Sequence, residues 1–257
     1  MAEKKHIANI QNMALVSQSD IEYRALLNTY FAKSGGSAVE KLENFPKYVS
    51  SSTIARFLCK YEIFKQVLNV QGSIIECGVF LGGGLMTWAQ LSTILEPMNH
   101  QRKIIGFDTF SGFPSTAKED VAPATSELVN AGGLAADSLQ DLQECIRLYD
   151  IYRPLSHIWK VKLVKGDVKK TVPQFIENNP HTIVSLLYLD FDIFEPTSIA
   201  LEYFIPRIPK GGIIAFDQLN SESFPGETLA ALKKVGISNL RIQRPLLSTF
   251  ISYAVVE

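Results

Sequence analysis

Ser73-Ile74-Ile75-Glu76-Cys77-Gly78-Val79-Phe80-Leu81-Gly82-Gly83-Gly84 is a short apolar run that ends in an acid and opens into glycines ahead of helix-like residues. The run has the length of a buried strand, and the glycines allow a tight turn whose main-chain N–H groups can face a ligand. With a helix dipole behind them, those groups form a cradle for a nucleotide-like molecule. The stretch therefore predicts an α/β fold with a binding site where its first strand ends.

Before this stretch, Ile54, Phe57, Leu58, Tyr61, Phe64, Val67 and Leu68 recur every three or four residues and predict a helix from Ser51 to Val70, with Ser51 or Ser52 as its N-cap. After it, Leu85, Met86, Trp88, Ala89, Leu91 and Ile94 predict a helix over 83–95. Lys103-Ile104-Ile105-Gly106-Phe107-Asp108 then completes a βαβ unit with a right-handed crossover. Further strands are predicted at 161–165, 182–189 and 213–216, and the unpunctuated apolar run 182–189 suits a central parallel strand buried on both faces. Helices are expected at 138–150, from Pro196 to about Phe204, and from Glu227 to Val235. Segments 240–243 and 248–256, split by Pro245, read as a closing antiparallel hairpin. The expected fold class is α/β, a doubly wound, mostly parallel, seven-stranded sheet over residues 51–257.

Residues 1–50 read as an N-terminal helical appendage, with Ile7, Ile10, Met13 and Leu15, then Ile21, Tyr23, Leu26, Leu27, Tyr30 and Phe31 at loosely helical spacing around Ser34-Gly35-Gly36-Ser37. Residues 109–137 are too rich in Ser, Pro, Gly, Ala and Thr for an ordinary connection, and long loops of this kind cover sites. Segments 1–50 and 115–137 are the two expected lids.

The 257 residues suffice for one large domain plus an appendage, and 25 basic against 26 acidic side chains leave no field for nucleic acid or a membrane surface. Three cysteines, Cys59, Cys77 and Cys145, share no metal-ligand spacing. The first residues lack the apolar core of a signal peptide, and no run approaches the ~18 apolar residues of a membrane span. The expectation is a cytoplasmic protein. Its four histidines, at 6, 100, 157 and 181, read as surface or loop residues.

The acids carry the functional signal. Apolar strands run into Glu76, Asp108, Asp190 and Asp217, and a weaker one into Gly166-Asp167. In an open parallel sheet the carboxyl ends of the strands form the ligand crevice, so these five acids are expected on one rim. Any one of them alone could cap the helix that follows. The glycines do not match G-x-G-x-x-G, and no G-K-[ST] follows them, which disfavours nicotinamide and P-loop chemistry. Glu-x-Gly-x-x-x-Gly followed by a strand ending in Asp fits an adenosyl ligand, with Asp108 on the ribose hydroxyls and Asp167 near the adenine. Asp190, Asp192, Asp217 and Gln218 offer oxygen atoms that suit a hard divalent cation such as Mg²⁺. Such an ion can lower the pKa of a substrate hydroxyl and orient it.

Four blocks, Ile75-Glu76-Cys77-Gly78-Val79-Phe80-Leu81-Gly82-Gly83, Gly106-Phe107-Asp108-Thr109-Phe110-Ser111-Gly112-Phe113-Pro114, Leu189-Asp190-Phe191-Asp192-Ile193-Phe194-Glu195-Pro196-Thr197 and the run from Pro206 to Asp217, resemble the macrocin and mycinamicin sugar O-methyltransferases in kind and order. The resemblance spans roughly residues 51–235. It implies a Rossmann-like class I methyltransferase fold, S-adenosylmethionine as cofactor, and Mg²⁺-assisted methylation of a sugar hydroxyl. By position it makes Glu76, Gly78 and Asp108 cofactor residues, Asp190 a metal ligand and the base, and Asp217 a metal ligand. The full expected cofactor set is Glu76, Gly78, Val79, Gly82, Gly83, Asp108, Thr109, Asp167 and Val168, and the expected metal set is Asp190, Asp217 and Gln218. The family usually carries two acids where this chain has Asp217-Gln218. A carboxamide oxygen can replace a carboxylate there, as the similar Asp-Asn pair does in catechol O-methyltransferases. Ile193 stands where those enzymes place a lysine base, which leaves proton removal to Asp190, Asp192 or a histidine. The expected partner is a sugar-containing small molecule, and analogy implies a homodimer. Two other readings compete: a metal-dependent glycosyltransferase using Asp190-Phe191-Asp192 as a D-x-D motif, and a cofactor-binding module without activity, for which Gln218 is the hint.

Overall fold

The computed structural model describes residues 17–248 and 250–257, so the expected helical positions Ile7, Ile10, Met13 and Leu15 lie outside the described residues. The chain divides into two compact units, Met1–Leu58 and Cys59–Glu257. In the first, helices α1 (Gln18–Lys33) and α2 (Ala38–Glu43) each begin with a capping box, Ser17 with Asp20 and Ser37 with Glu40, which satisfies N–H groups that a helix start leaves unpaired. The Ser34-Gly35-Gly36-Ser37 break lies between them, as its composition requires. The Tyr48 ring packs 5.0 Å from that of Phe31 and 5.6 Å from that of Tyr30, and its hydroxyl lies 3.1 Å from Ser34 Oγ. Helix α3 (Ser51–Gln66) leads from this unit into the second.

The second unit is built on a sheet of order β3-β2-β1-β4-β5-β6, from β1 (Ser73–Cys77), β2 (Ile104–Asp108), β3 (Val161–Lys165), β4 (Val184–Leu189), β5 (Ile213–Phe216) and β6 (Ser252–Val255). The first five are parallel, and β6 runs antiparallel to β5. Alternation along each strand sorts the core into two layers. Ile74, Ile104, Leu186, Tyr188 and Ala215 face α3, α4 (Gly83–Leu95) and α5 (Leu139–Tyr152) through residues such as Phe64, Leu85, Trp88 and Leu142. Ile75, Phe107, Leu187, Leu189 and Phe216 face α6 (Val168–Asn178), α7 (Phe194–Phe204) and α8 (Pro225–Lys234) through Val172, Phe175, Leu201, Phe204 and Ala230. Every residue of β4 is buried, as its unbroken apolar run predicts.

The expected seven strands are six among the described residues. The segment predicted as strand 240–243 keeps one antiparallel bridge, Gln243 to Tyr253. The reason lies two residues on: Pro245 has no N–H to donate, and the chain turns there, with Ser248 N donating to Pro245 O at 3.3 Å. A hairpin therefore has nothing to propagate along, and the last strand is shortened to Ser252–Val255. Helix α6, which carries Pro173 inside it, has no counterpart in the sequence reading.

Candidate cofactor and acceptor site

The strand register decides which acids share the rim. Cys77 pairs with Phe107 and with Leu189, and Leu189 pairs with Phe216. The next residues, Gly78, Asp108, Asp190 and Asp217, therefore occupy one rung just past the carboxyl ends of four neighbouring strands. Asp190 N donates to Cys77 O at 2.7 Å, Gly78 N to Phe107 O at 2.9 Å, and Asp217 N to Leu189 O at 2.9 Å. Gly78 has φ 95°, and a Cβ there would strike the Asp190 carbonyl. Only glycine lets the β1 turn and the β4 turn lie back to back.

Asp108 holds the glycine turn in shape. Its Oδ2 accepts from Val79 N at 2.7 Å and Phe80 N at 2.9 Å, and its Oδ1 accepts from Phe110 N at 2.7 Å. Phe80 and Phe110 both adopt left-handed backbone, with φ of 50° and 56°. Non-glycine residues in that region are held there by their surroundings, and such strain gathers at functional turns. Ser138 adds a second tie by donating its hydroxyl to Phe80 O. Gly82 and Gly83 open α4 immediately after this turn, with Gly82 at its N-cap. Thr109 Oγ1 donates to Gly112 O at 2.6 Å. Gly166 N donates to Asp108 O at 2.9 Å, which brings Asp167 to the same corner. There Asp167 caps α6 by accepting from Lys169 N at 3.0 Å, and Val168 is buried beneath it.

Glu76 sits two rungs lower, and its carboxylate is turned into the fold. It is 2 % exposed. Its Oε2 accepts from Trp88 Nε1 at 2.5 Å and lies 3.5 Å from Lys60 Nζ. A Cβ on Gly84 would come 2.5 Å from Glu76 Oε1, so the first turn of α4 lies directly over the carboxylate. The structure thus separates Glu76 from the rim acids with which the sequence groups it. Burial pushes the neighbouring Cys77 thiol well above its ordinary range, as suits a small core residue.

At the β4 and β5 ends a second cluster forms. Asp217 is fully buried, and its Oδ1 accepts from the Tyr188 hydroxyl at 2.5 Å. Gln218 donates its carboxamide N–H to Asp192 Oδ1, and its main-chain N–H to Glu227 Oε1 at 3.1 Å. Gln218 Oε1 and Glu227 Oε2 are buried oxygens without a hydrogen-bond partner. Burial first, then the charges of Asp217 and Asp192, hold the Glu227 carboxyl well above its ordinary range. Asp192 has φ 65°, so the turn after β4 is held as tightly as those after β1 and β2. Among the described residues no group of three or more His, Cys, Asp or Glu side chains is gathered as a metal site. The oxygen set here consists of carboxylates and one carboxamide.

Glu227 is a residue that sequence reasoning does not assign to this edge, and for Tyr188 it misses the bond to Asp217. An acid just after Pro225 reads as first-turn helix chemistry, and Tyr188 reads as an aromatic of the rim, although it is fully buried. Period-two counting back from Asp190 does place Tyr188 on the same sheet face, which is the one signal available for it.

Residues 57–234 match the family model described as macrocin-O-methyltransferase (TylF). An 8-demethyl-8-(2,3-dimethoxy-alpha-L-rhamnosyl)-tetracenomycin-C 4'-O-methyltransferase of Streptomyces olivaceus is 25 % identical over 150 residues, 58 % of this chain and 53 % of that protein. The chain thus spans about half the length of this curated relative. The solved structure of the calicheamicin methyltransferase CalS11 superposes with a TM-score of 0.89 at 31 % identity, covering 93 % of each chain. The apo structure of CalS11, described as a TDP-rhamnose 3'-O-methyltransferase, gives 0.80 at 30 % identity, with 93 % of this chain and 95 % of that one covered. The fold is that of class I methyltransferases.

Proposed function

The chain belongs to the macrocin-O-methyltransferase family, and from that membership and the geometry of the carboxyl edge we propose an S-adenosylmethionine-dependent O-methyltransferase acting on a hydroxyl of a sugar or a sugar-bearing small molecule. The observation that carries the proposal is the single rung of Gly78, Asp108, Asp190 and Asp217, which sets a nucleoside cradle beside an oxygen-rich cluster. Residues 78–84, Asp108, Thr109, Asp167 and Val168 are the cofactor side. Glu76 supports that side from below through Trp88 and α4.

Asp190, Asp217 and Gln218 are the acceptor side, and the unpartnered Gln218 Oε1 among carboxylates favours a hard cation there. When bound, S-adenosylmethionine supplies the methyl group, and Mg²⁺ supplies Lewis-acid charge that lowers the pKa of the acceptor hydroxyl. Asp190 would take the proton of the acceptor hydroxyl. Tyr188 holds one oxygen of Asp217 and so orients its carboxylate. Alignment contributes more to methyl transfer than acid–base strength, so the stiffness of the three strained turns is useful in itself. The loop 115–137 is the proposed cover on this side. The D-x-D glycosyltransferase reading gains no support from the family match. We place the enzyme in the cytoplasm; its three cysteines are free, and no helix among the described residues is long and apolar enough to cross a membrane.

The test is incubation with S-adenosylmethionine, Mg²⁺ and a panel of nucleotide-linked deoxysugars that includes TDP-rhamnose, with S-adenosylhomocysteine release as readout. One methylated sugar per S-adenosylhomocysteine is expected, lost with EDTA and restored by Mg²⁺. Turnover that persists in EDTA would remove the metal from the proposal, and S-adenosylhomocysteine binding without turnover on any sugar-bearing acceptor would contradict the activity.

A further inference from the structure

The segment between β2 and α5 is a packed loop whose ends meet. Phe113 N donates to Gly133 O at 3.1 Å, and Gly132 N donates to Phe113 O at 2.8 Å. Inside it Asp120 is buried, with 1 % of its surface exposed. Its Oδ2 accepts from Ala117 N at 2.7 Å within the loop, and its Oδ1 accepts from Phe194 N at 2.6 Å. Phe194 opens α7, and the leading N–H groups of a helix have no partner inside it. The residues immediately before it are Asp190-Phe191-Asp192-Ile193, whose turn closes through Ile193 N donating to Phe191 O at 2.7 Å. Gly226 on α8 makes room for the contact, because a Cβ there would run into Asp120 Oδ1 and stand 2.5 Å from Phe194 N. Two outer ties flank it: Ser126 N donates to Ser223 O at 3.1 Å, and Lys233 pairs with Glu119 at 2.8 Å.

We propose that Asp120 is a positioning residue that joins the 113–133 loop to the turn presenting Asp190 and Asp192, so that seating the loop and shaping the acceptor edge are one event. This rests on the reading of that edge given above. Each carboxylate oxygen satisfies one N–H, one on either segment. If the loop leaves, the Phe194 N–H loses its acceptor, and if the turn leaves, the buried Asp120 Oδ1 loses its donor. Asparagine at 120 would keep the shape but present an N–H₂ group to one of the two donors.

The experiment compares wild type with Asp120→Asn by amide hydrogen exchange, by calorimetric titration of S-adenosylhomocysteine, and by electron paramagnetic resonance titration of Mn²⁺. In Asp120→Asn the Phe194 and loop amides should exchange about tenfold faster or more while those of β1 and β4 stay protected. S-adenosylhomocysteine affinity should hold within about twofold, and Mn²⁺ affinity should fall about tenfold, as for a residue that orients a ligand. Unchanged exchange at Phe194, or equal losses of S-adenosylhomocysteine and Mn²⁺ affinity, would overturn the proposal. Lys233→Met, which cuts the outer tie and the contact of the Lys233 amine with the Phe194 ring at 4.8 Å, should leave the Phe194 amide protected, because Asp120 still accepts its N–H. If wild type binds no Mn²⁺, the metal reading of the edge fails, and the exchange result still decides the role of Asp120. If Asp120→Asn does not fold, wild-type exchange decides it: Ala117 and Phe194 share one carboxylate and should open together, with protection equal within about threefold. Protection that differs about a hundredfold would contradict the link.

Discussion

Lys60 Nζ lies 3.5 Å from Glu76 Oε2 and 3.4 Å from the centroid of the Tyr188 ring, while the indole N–H of Trp88 reaches the same carboxylate oxygen. Both charges are 2 % exposed. A buried pair adds little net stability, but removing one partner strands the other charge in a poor solvent. Lys60→Met should therefore cost roughly 3–5 kcal/mol of unfolding free energy in denaturant titrations. The double change Lys60→Met with Glu76→Gln should recover most of that loss, because the amide oxygen still accepts from Trp88. Glu76→Gln alone should bind S-adenosylhomocysteine nearly as wild type does, and a large loss would return Glu76 to the cofactor site. Legibility at this scale turns on two residues of register. Asp108, Asp190 and Asp217 each fall on the rung just past the Cys77 pairings, whereas Glu76 stands before Cys77 and points onto the face that α4 covers. Strand boundaries from sequence are too coarse to resolve such an offset, so all four acids look alike.

Elements were legible where their pattern was strong. The period of α4, from Gly83 to Leu95, and the solid apolar run of β4 depend on burial alone, and burial is what hydrophobic spacing records. Helix α6 and the end of the chain were not, since Pro173 and Pro245 carry opposite meanings that only tertiary context separates. The approach to β3 also carries an electrostatic feature invisible in sequence. Lys160 is 5 % exposed, and its Nζ donates to Asn99 O at 2.6 Å. Burial, opposed by Glu96 and aided by Arg102, Lys103 and Arg153, lowers its pKa to about 8. In the unfolded chain a lysine holds its proton up to about pH 10.4. Between these values the unfolded state binds more protons, so this group should make stability rise with pH across that window. Thermal or urea unfolding from pH 7.5 to 10 should show that rise in wild type relative to Lys160→Met. A flat difference would contradict the burial of this amine.

At the scale of the molecule, the doubly wound sheet and its functional edge follow from one arrangement. Parallel strands alternate with helices on both faces, and their carboxyl ends stop together along one rim, where turns too tight for ordinary side chains expose backbone and acids. The sequence shows the rim because acids interrupt apolar runs at Asp108, Asp190 and Asp217. It does not show the contacts made by Tyr188, Glu227 and Asp120, which come from segments far apart in the chain and meet only through packing. The central claim is a division of labour along that rim, nucleoside on the β1–β2 side and acceptor hydroxyl on the β4–β5 side. Calorimetric titration of S-adenosylhomocysteine into Asp108→Ala and Asp190→Ala, side by side with wild type, tests it most directly. Asp190→Ala should bind within about twofold of wild type, and Asp108→Ala about tenfold more weakly or worse. Equal loss in both variants, or loss in Asp190→Ala alone, would contradict the account.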